Sequence, residues 1–74
     1  MLFRSLLDAH INLGSLLHEA GDTRRAERVY RDAMKTCGSD PVLLYNLGVL
    51  LEDLGRKTEA VETYEAALDR KSVV

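Results

Sequence analysis

The sequence predicts an all-α fold, a helical solenoid (α-α superhelix) of two antiparallel helix hairpins. The segment INLGSLLHEAG at 11–21 returns as YNLGVLLEDLG at 45–55. A period of about 34 residues is typical of helical repeats. Apolar residues recur at helical spacing in both segments, and glycine or Asp-Pro breaks separate them. Aligning residues 7–40 with 41–74 gives nine identical pairs, nearly all of them small or apolar: Asn12/Asn46, Leu13/Leu47, Gly14/Gly48, Leu16/Leu50, Leu17/Leu51, Gly21/Gly55, Ala26/Ala60, Tyr30/Tyr64 and Ala33/Ala67.

The first hairpin begins with a helix that ends at Gly21, since glycine readily adopts the left-handed conformation that closes a helix. The apolar side of this helix is predicted to consist of Leu6, Leu7, Ala9, Leu13, Leu16, Leu17 and Ala20. Asp22 can accept hydrogen bonds from the first amides of a second helix, predicted over about 23–36. The inward residues of that helix are Ala26, Val29, Tyr30, Ala33 and Met34.

The second hairpin has a clear start, because Asp40-Pro41 combines a capping carboxylate with proline at the first helical position. We predict a third helix over about 41–54 that stops at Gly55, and a fourth from about 57 to 70. The inward residues of the fourth helix are Ala60, Val61, Tyr64, Ala67 and Leu68.

A glycine lies in the middle of the first helix of each hairpin, at Gly14 and Gly48. Glycine inside a helix costs about 1 kcal/mol relative to alanine, so its use at the same point of both units indicates close packing. We expect the partners to be the small residues Ala26 and Ala60 on the following helices. Tyr30 and Tyr64 would then fill space farther along each hairpin.

The composition limits the classes of protein to which the chain can belong. The 74 residues are 46% hydrophobic and 30% charged, with a net charge of −2 and a single cysteine, Cys37. These values are typical of one small globular domain without an internal disulfide. No apolar run approaches the roughly 18–20 residues of a membrane span. A charged residue also interrupts the opening apolar residues too early for a secretory signal. We therefore expect a cytoplasmic protein with no membrane contact.

The helix–turn–helix unit of about 34 residues, with Asn-Leu-Gly in its first helix, resembles the tetratricopeptide repeat. The resemblance places one unit at 7–40 and a second at 41–74. In the second unit the residues that carry it are Leu44, Leu47, Gly48, Leu51, Ala60, Tyr64 and Ala67. In the first unit they are His10, Leu13, Gly14, Leu17, Ala26, Tyr30 and Ala33. His10 departs from the pattern where an aromatic residue is usual, and Gly38 and Ser72 depart where proline is usual.

The resemblance implies a protein–protein interaction module that binds a peptide or helix on a concave surface lined by the first helix of each unit. The peptide-binding residues it implies are Ile11, Asn12, Ser15, Glu19, Tyr45, Asn46, Val49 and Glu52. The same face includes Asp8, His18, Val42 and Asp53. Its mixture of apolar side chains and carboxylates suits a protein partner with apolar anchors and a basic flank.

Two binding modes of the family can be compared with this face. A basic clamp for the acidic tails of chaperones needs lysine and asparagine where this chain has Ile11 and Ser15, so we do not expect that ligand. A ladder of asparagines that holds a peptide backbone would use Asn12 and Asn46, whose amides can both donate and accept. The alternative is that asparagine is simply frequent at this position of the repeat.

Other functions remain open at this point. The chain could be a non-catalytic targeting or scaffold segment of a larger enzyme or regulator. The second helix also carries a basic stripe of Arg24, Arg28, Arg31 and Lys35. The stripe could contact nucleic acid, but the interleaved carboxylates of Glu27 and Asp32 favour a solvated outer face.

We expect neither catalysis nor a bound cofactor or metal. His10 and His18 lie on one helix with no other histidine or nearby cysteine to complete a metal site, so we interpret His10 as a packing residue and His18 as a residue at the groove edge. Glu52, Asp53 and the glutamates at 59, 62 and 65 are predicted on the rounded outer surfaces of single helices, which offer no pocket that could raise the pKa of a catalytic carboxyl group.

The two terminal segments break the repeat pattern. Residues 2–5 (LFRS) and 69–74 (DRKSVV) are what a sequencing adapter yields on translation, so we expect residues 1–5 and 69–74 to be non-native and the sequence to be an internal slice of a longer gene. Solenoid units are stabilised by their neighbours. We therefore expect an uncovered apolar face, available to a neighbouring repeat or a second copy, at Leu43, Leu50, Leu54 and Val61.

Overall fold

The computed structural model describes the backbone of residues 2–72 and the side chains of residues 6–68. This part of the chain forms four helices: α1 (Leu2–Glu19), α2 (Thr23–Cys37), α3 (Pro41–Asp53) and α4 (Lys57–Ser72). Helix α1 packs against α2, and α3 against α4, while α3 also contacts α2 and α1. The predicted all-α fold is confirmed. Among the described residues, no helix combines the length and apolar character needed to cross a bilayer.

Glycine ends the first helix of each hairpin. At the end of α1, Gly21 has a φ of +88°, and the Asp22 amide donates to the Leu17 carbonyl oxygen at 2.9 Å. This bond across five residues is the mark of a Schellman cap, in which a left-handed residue lets the chain turn back. The same bonding recurs at the equivalent point of the second hairpin around Gly55, which has a φ of +81°. The turn is therefore repeated along with the helices.

Capping carboxylates start the two inner helices as predicted. One Asp40 oxygen accepts the amide hydrogens of Val42 and Leu43 at 2.8 and 3.3 Å, with Pro41 as the first helical residue. The Asp22 carboxylate accepts one such bond at the start of α2. Each cap satisfies amides that have no partner within their own helix.

The core is centred on α3, the helix that packs against both α2 and α4. Its leucines form one buried cluster with the small residues and the tyrosine of the neighbouring helices: Ala26, Tyr30, Ala33, Leu43, Leu47, Leu50, Leu51 and Ala60. Leu7, Ile11, Leu17, Met34 and Tyr64 pack around this cluster while partly buried. The interface between the two hairpins is thus built mainly from the leucines of α3.

The predicted uncovered face is wrong at two of its four residues. Leu43 and Leu50 are fully buried, because they belong to the cluster that joins α3 to α2, whereas Leu54 and Val61 are exposed. The predicted apolar side of α1 also divides in two. Leu7 and Leu17 pack on the core. The residues of that side that are instead exposed are Leu6, Ala9, Leu13, Leu16 and Ala20.

The mid-helix glycines lie against tyrosines, not against the alanines expected from the sequence. A methyl group at Gly48 would lie 2.5 Å from Cε1 of Tyr64, and one at Gly14 would collide with the same edge of the Tyr30 ring. The close approach is therefore between helix backbone and an aromatic ring. Alanine is buried nearby at Ala26, but it is not what requires the glycine.

An ion-pair cluster also joins the two hairpins. The Arg56 guanidinium donates two hydrogen bonds to the Glu27 carboxylate of α2, at 2.9 and 3.1 Å, and Arg31 donates a third at 2.9 Å. Arg56 also donates to Glu59 at the start of α4. The Arg56 guanidinium, helped by Arg31, holds the pKa of the Glu27 carboxyl below its usual value of 4.5 although burial opposes this.

The lowered pKa of Glu27 predicts a loss of stability in acid. A carboxyl whose folded-state pKa is depressed contributes stability above its unfolded-state pKa, and that contribution disappears as the pH falls through the folded-state value. We expect Glu27→Gln to lower the free energy of unfolding by up to about 1 kcal/mol at pH 7. The difference from the wild-type chain should shrink towards zero between pH 5 and pH 3, as measured by urea denaturation followed by circular dichroism.

Glu65→Gln, at an exposed position of α4, is the matched control for the loss of one carboxylate. The free energy of unfolding of this variant should differ little from the wild-type value throughout the same pH range. A cost of Glu27→Gln that is as large at pH 3 as at pH 7 would contradict the assignment of this stability to the ion pair.

Candidate functional site

Two large apolar side chains of α3 are left outside the core. Tyr45 is 59% exposed and Val42 is 57% exposed, although the leucines of the same helix are buried. The Tyr45 ring packs against Tyr64 of α4, with ring centroids 5.7 Å apart and planes inclined by 45°. Beside them runs an open groove of about 530 Å³, which we call the α3–α4 groove. It is lined by Pro41, Val42, Tyr45, Tyr64, Ala67 and Leu68.

A carboxylate lies near the α3–α4 groove. The Tyr64 hydroxyl donates to the Glu52 carboxylate at 2.9 Å, which ties the end of α3 to α4. Burial, together with the acceptor carboxylate of Glu52, raises the pKa of Tyr64 to about 12. The phenol is therefore neutral at physiological pH and acts as a hydrogen-bond donor. The structure thus links two predicted peptide-binding residues, Tyr45 and Glu52, through a tyrosine that the sequence interpretation assigned only to packing.

A hydrogen bond that the sequence did not reveal joins α1 to α3. Nε2 of His18 lies 2.5 Å from a carboxylate oxygen of Asp53, and the two residues are 35 positions apart. The sequence interpretation makes His18 a groove-edge residue and Asp53 part of a carboxylate edge. His18 and Asp53 bind each other, and the Tyr64 hydroxyl bonds one oxygen of Glu52. The carboxylates of this edge that remain for a partner are therefore Glu19 and the other oxygen of Glu52, both residues being exposed.

The first unit contributes fewer accessible side chains to the face than the second. Ile11 is partly buried and packs on the core. Ser15 is also partly buried; burial raises the pKa of Tyr30, and the Ser15 hydroxyl opposes the rise. Asn12 and Glu19 are exposed. The predicted set is therefore split between inward and outward residues in the first unit.

The side-chain amide of Asn46, the asparagine of the second unit, already makes one hydrogen bond within its own helix. The Asn46 amide nitrogen donates to the Val42 carbonyl oxygen at 2.9 Å, which leaves its side-chain oxygen as an acceptor. Val49 is partly buried next along the face. An asparagine ladder would thus begin with one exposed amide at Asn12 and one amide already bonded at Asn46.

The structure also locates the other residues that were considered from the sequence, namely the basic stripe of α2 and the possible metal ligands. The stripe residues of α2 are exposed, and Arg31 is paired with Glu27. His10 is partly buried and its Nδ1 donates to the Leu6 carbonyl oxygen at 2.8 Å. Within the described residues, no three histidine, cysteine or acidic side chains lie close enough together to hold a metal ion.

Comparison with known families agrees with the repeated hairpin geometry. One family model described as tetratricopeptide repeat matches residues 7–50, and a second with the same description matches residues 42–73. The chain belongs to the tetratricopeptide repeat family. Neither a curated protein nor a solved structure matches it. Tetratricopeptide repeats are generally modules for protein–protein interaction, and the family is typically non-catalytic.

Proposed function

We propose that this tetratricopeptide chain binds a peptide or helix of a partner protein on the face shared by α1 and α3. The observation that carries the proposal is the exposure of Tyr45 and Val42 on a helix whose leucines are all buried. Exposed tyrosine is well suited to binding, because it offers a large rigid apolar surface together with a polar hydroxyl. The α3–α4 groove beside it provides the space for an apolar anchor.

The electrostatics of the face favour a basic partner. Glu19 and Glu52 are exposed carboxylates on this face, whereas Asp53 is already bound to His18. A lysine or arginine of the partner can therefore pair with Glu52 while an apolar side chain enters the groove near Tyr45. The partner we propose is therefore the one suggested by the sequence, with apolar anchors and a basic flank.

The proposed binding predicts a clear effect of Tyr45→Ala. Short peptides would be selected from a displayed random library on the immobilised chain, and their Kd measured by fluorescence anisotropy. We expect the selected peptides to combine aromatic or aliphatic residues with lysine or arginine. Tyr45→Ala should weaken their binding at least about tenfold, because it removes an exposed aromatic anchor without opening the core.

Leu16→Ala is the matched control, because Leu16 is also a large exposed apolar residue but does not belong to the predicted peptide-binding set. Its Kd should stay within about twofold of the wild-type value. Asn46→Ala tests the asparagine ladder separately and should weaken extended peptides more than helical ones. Selected peptides that bind Tyr45→Ala and the wild-type chain equally would overturn the proposed face.

We propose further that the chain acts within a scaffold or targeting segment rather than in catalysis. The support is the family membership together with a face whose described residues suit binding. The alternative of nucleic-acid contact through the basic stripe would appear in the same assay as acidic selected peptides whose binding depends on Arg28 and not on Tyr45. The unit boundaries and the cytoplasmic location stay predictions.

A further inference from the structure

The exposed side of α1 repeats a surface that is buried elsewhere in the same chain. When residues 7–40 are aligned with 41–74, Leu13 and Leu16 are equivalent to Leu47 and Leu50. Leu47 and Leu50 are buried because α3 packs on the first hairpin. Leu13 and Leu16, by contrast, are 47% and 63% exposed. Within the described residues, helix α1 therefore presents the surface that α3 uses for packing, with its Leu13 and Leu16 side chains exposed.

The α3–α4 groove is the complementary surface. In the same alignment, its lining residues are equivalent to Leu7, Asp8, Ile11, Tyr30, Ala33 and Met34 of the first unit. On the first hairpin, Tyr30 and Ala33 of this set are buried in the cluster that includes the leucines of α3. On the second hairpin, Leu68 is 65% exposed. The groove is thus formed at positions equivalent to those that, on the first hairpin, pack around the leucines of α3.

We propose that copies of this chain associate head to tail, with α1 of one copy in the α3–α4 groove of another. The support is the interface between the two hairpins of the chain. One molecule exposes a counterpart of each side of that interface: α1 is equivalent to α3, and the α3–α4 groove is equivalent to the surface of the first hairpin on which α3 packs. Such contacts are heterologous, so they add copies in sequence and do not close a symmetric dimer. The proposed association and the proposed peptide binding use the same α3–α4 groove, so a second copy and a peptide would compete for it. The association is nevertheless tested separately, because Leu16 and Leu68 lie outside the predicted peptide-binding set.

The charges at this junction make it weaker than the internal interface. Inside the chain, His18 pairs with Asp53 across the hairpins. The corresponding residues between two copies are Glu52 of one copy and Glu19 of the next, which are both carboxylates. The internal pair of Glu27 and Arg56 likewise corresponds to Val61 and Asp22, which cannot pair. A small interface with opposed carboxylates is expected to have a Kd on the order of 100 μM.

Analytical ultracentrifugation of the full chain from about 5 μM to 1 mM tests the proposal, with a range chosen to bracket that Kd. We expect the weight-average mass to rise steadily with concentration. Leu16→Glu blocks the α1 side and Leu68→Glu blocks the groove side, so each variant alone should stay monomeric. Because each variant keeps one intact side, their equimolar mixture should form a species of twice the monomer mass and no larger.

Glu52→Gln provides a second test that does not disturb the apolar surfaces. It removes one of the opposed carboxylates and keeps an acceptor for the Tyr64 hydroxyl, so it should tighten association about two- to fivefold at low salt. Circular dichroism should show unchanged helix content in all three variants. A wild-type chain that stays monomeric to 1 mM overturns the proposal and leaves these faces to another partner. Dimers that persist in Leu16→Glu or in Leu68→Glu alone overturn it as well, because they would indicate a symmetric contact.

Discussion

Replacing Leu50 with alanine should lower the free energy of unfolding by about 3–4 kcal/mol, because it opens a cavity in a fully packed interface. Leu50 is 0% exposed and lies in the cluster that joins α3 to α2. Folded domains are stabilised by only about 5–15 kcal/mol, and a chain of this size is near the lower end. Urea denaturation at low micromolar concentration, where association is negligible, measures the loss directly.

The same substitution at Leu16 supplies the internal control. Leu16 is the same residue type at the equivalent point of the first unit, but its exposure removes most of the burial that would be lost. We expect Leu16→Ala to change the free energy of unfolding by less than about 0.5 kcal/mol. Equal costs at the two positions would mean that α3 does not lie between the hairpins as described.

Gly14→Ala should destabilise the chain by about 2 kcal/mol. Alanine is the better helix former by about 1 kcal/mol, so adding one methyl group inside a helix would ordinarily stabilise it. Here the added methyl group meets the Tyr30 ring, which is 1% exposed and has no room to move. Overpacking of this kind costs about 1–3 kcal/mol or more, which exceeds the gain in helix propensity.

A double-mutant cycle with Tyr30→Leu tests this cause. Once the aromatic ring is gone, Gly14→Ala should become neutral or stabilising by up to about 1 kcal/mol. Gly48→Ala is a graded control, since its neighbour Tyr64 is only partly buried and its ring can shift towards the groove. We expect it to cost less than Gly14→Ala. A cost at Gly14 that is unchanged in the Tyr30→Leu background would rule out the ring as its source.

Local features of the fold could be predicted from the sequence because their causes are local. The end of α1 at Gly21 and the start of α3 at Asp40 follow from backbone conformation and capping within a few residues. Both are as expected. The repeat likewise indicated the family. Ranges predicted for α2 and α3 differ from the structure by a single residue at their ends.

Features that depend on the neighbouring unit could not be predicted in the same way. Leu16 and Leu50 occupy equivalent positions of the repeat, and the packing of α3 on the first hairpin makes one exposed and the other buried. The pair of His18 and Asp53 joins residues 35 positions apart, so no local pattern signals it. The candidate site shows the same limit, because the role of Tyr64 beside Tyr45 depends on how α4 packs against α3.

The central position of α3 also determines how the chain unfolds. Within the residues that the structure describes, the close backbone contacts between the hairpins are those of α3 with α1 and α2, and the ion pair of Arg56 with Glu27 adds to them. Repeat proteins can lose one unit at a time when each unit is stable alone. Here the helix that joins the units is also half of the second hairpin, so melting α3 removes the interface and that hairpin together. We therefore expect the two repeats to unfold as one cooperative unit, although the sequence encodes them as two.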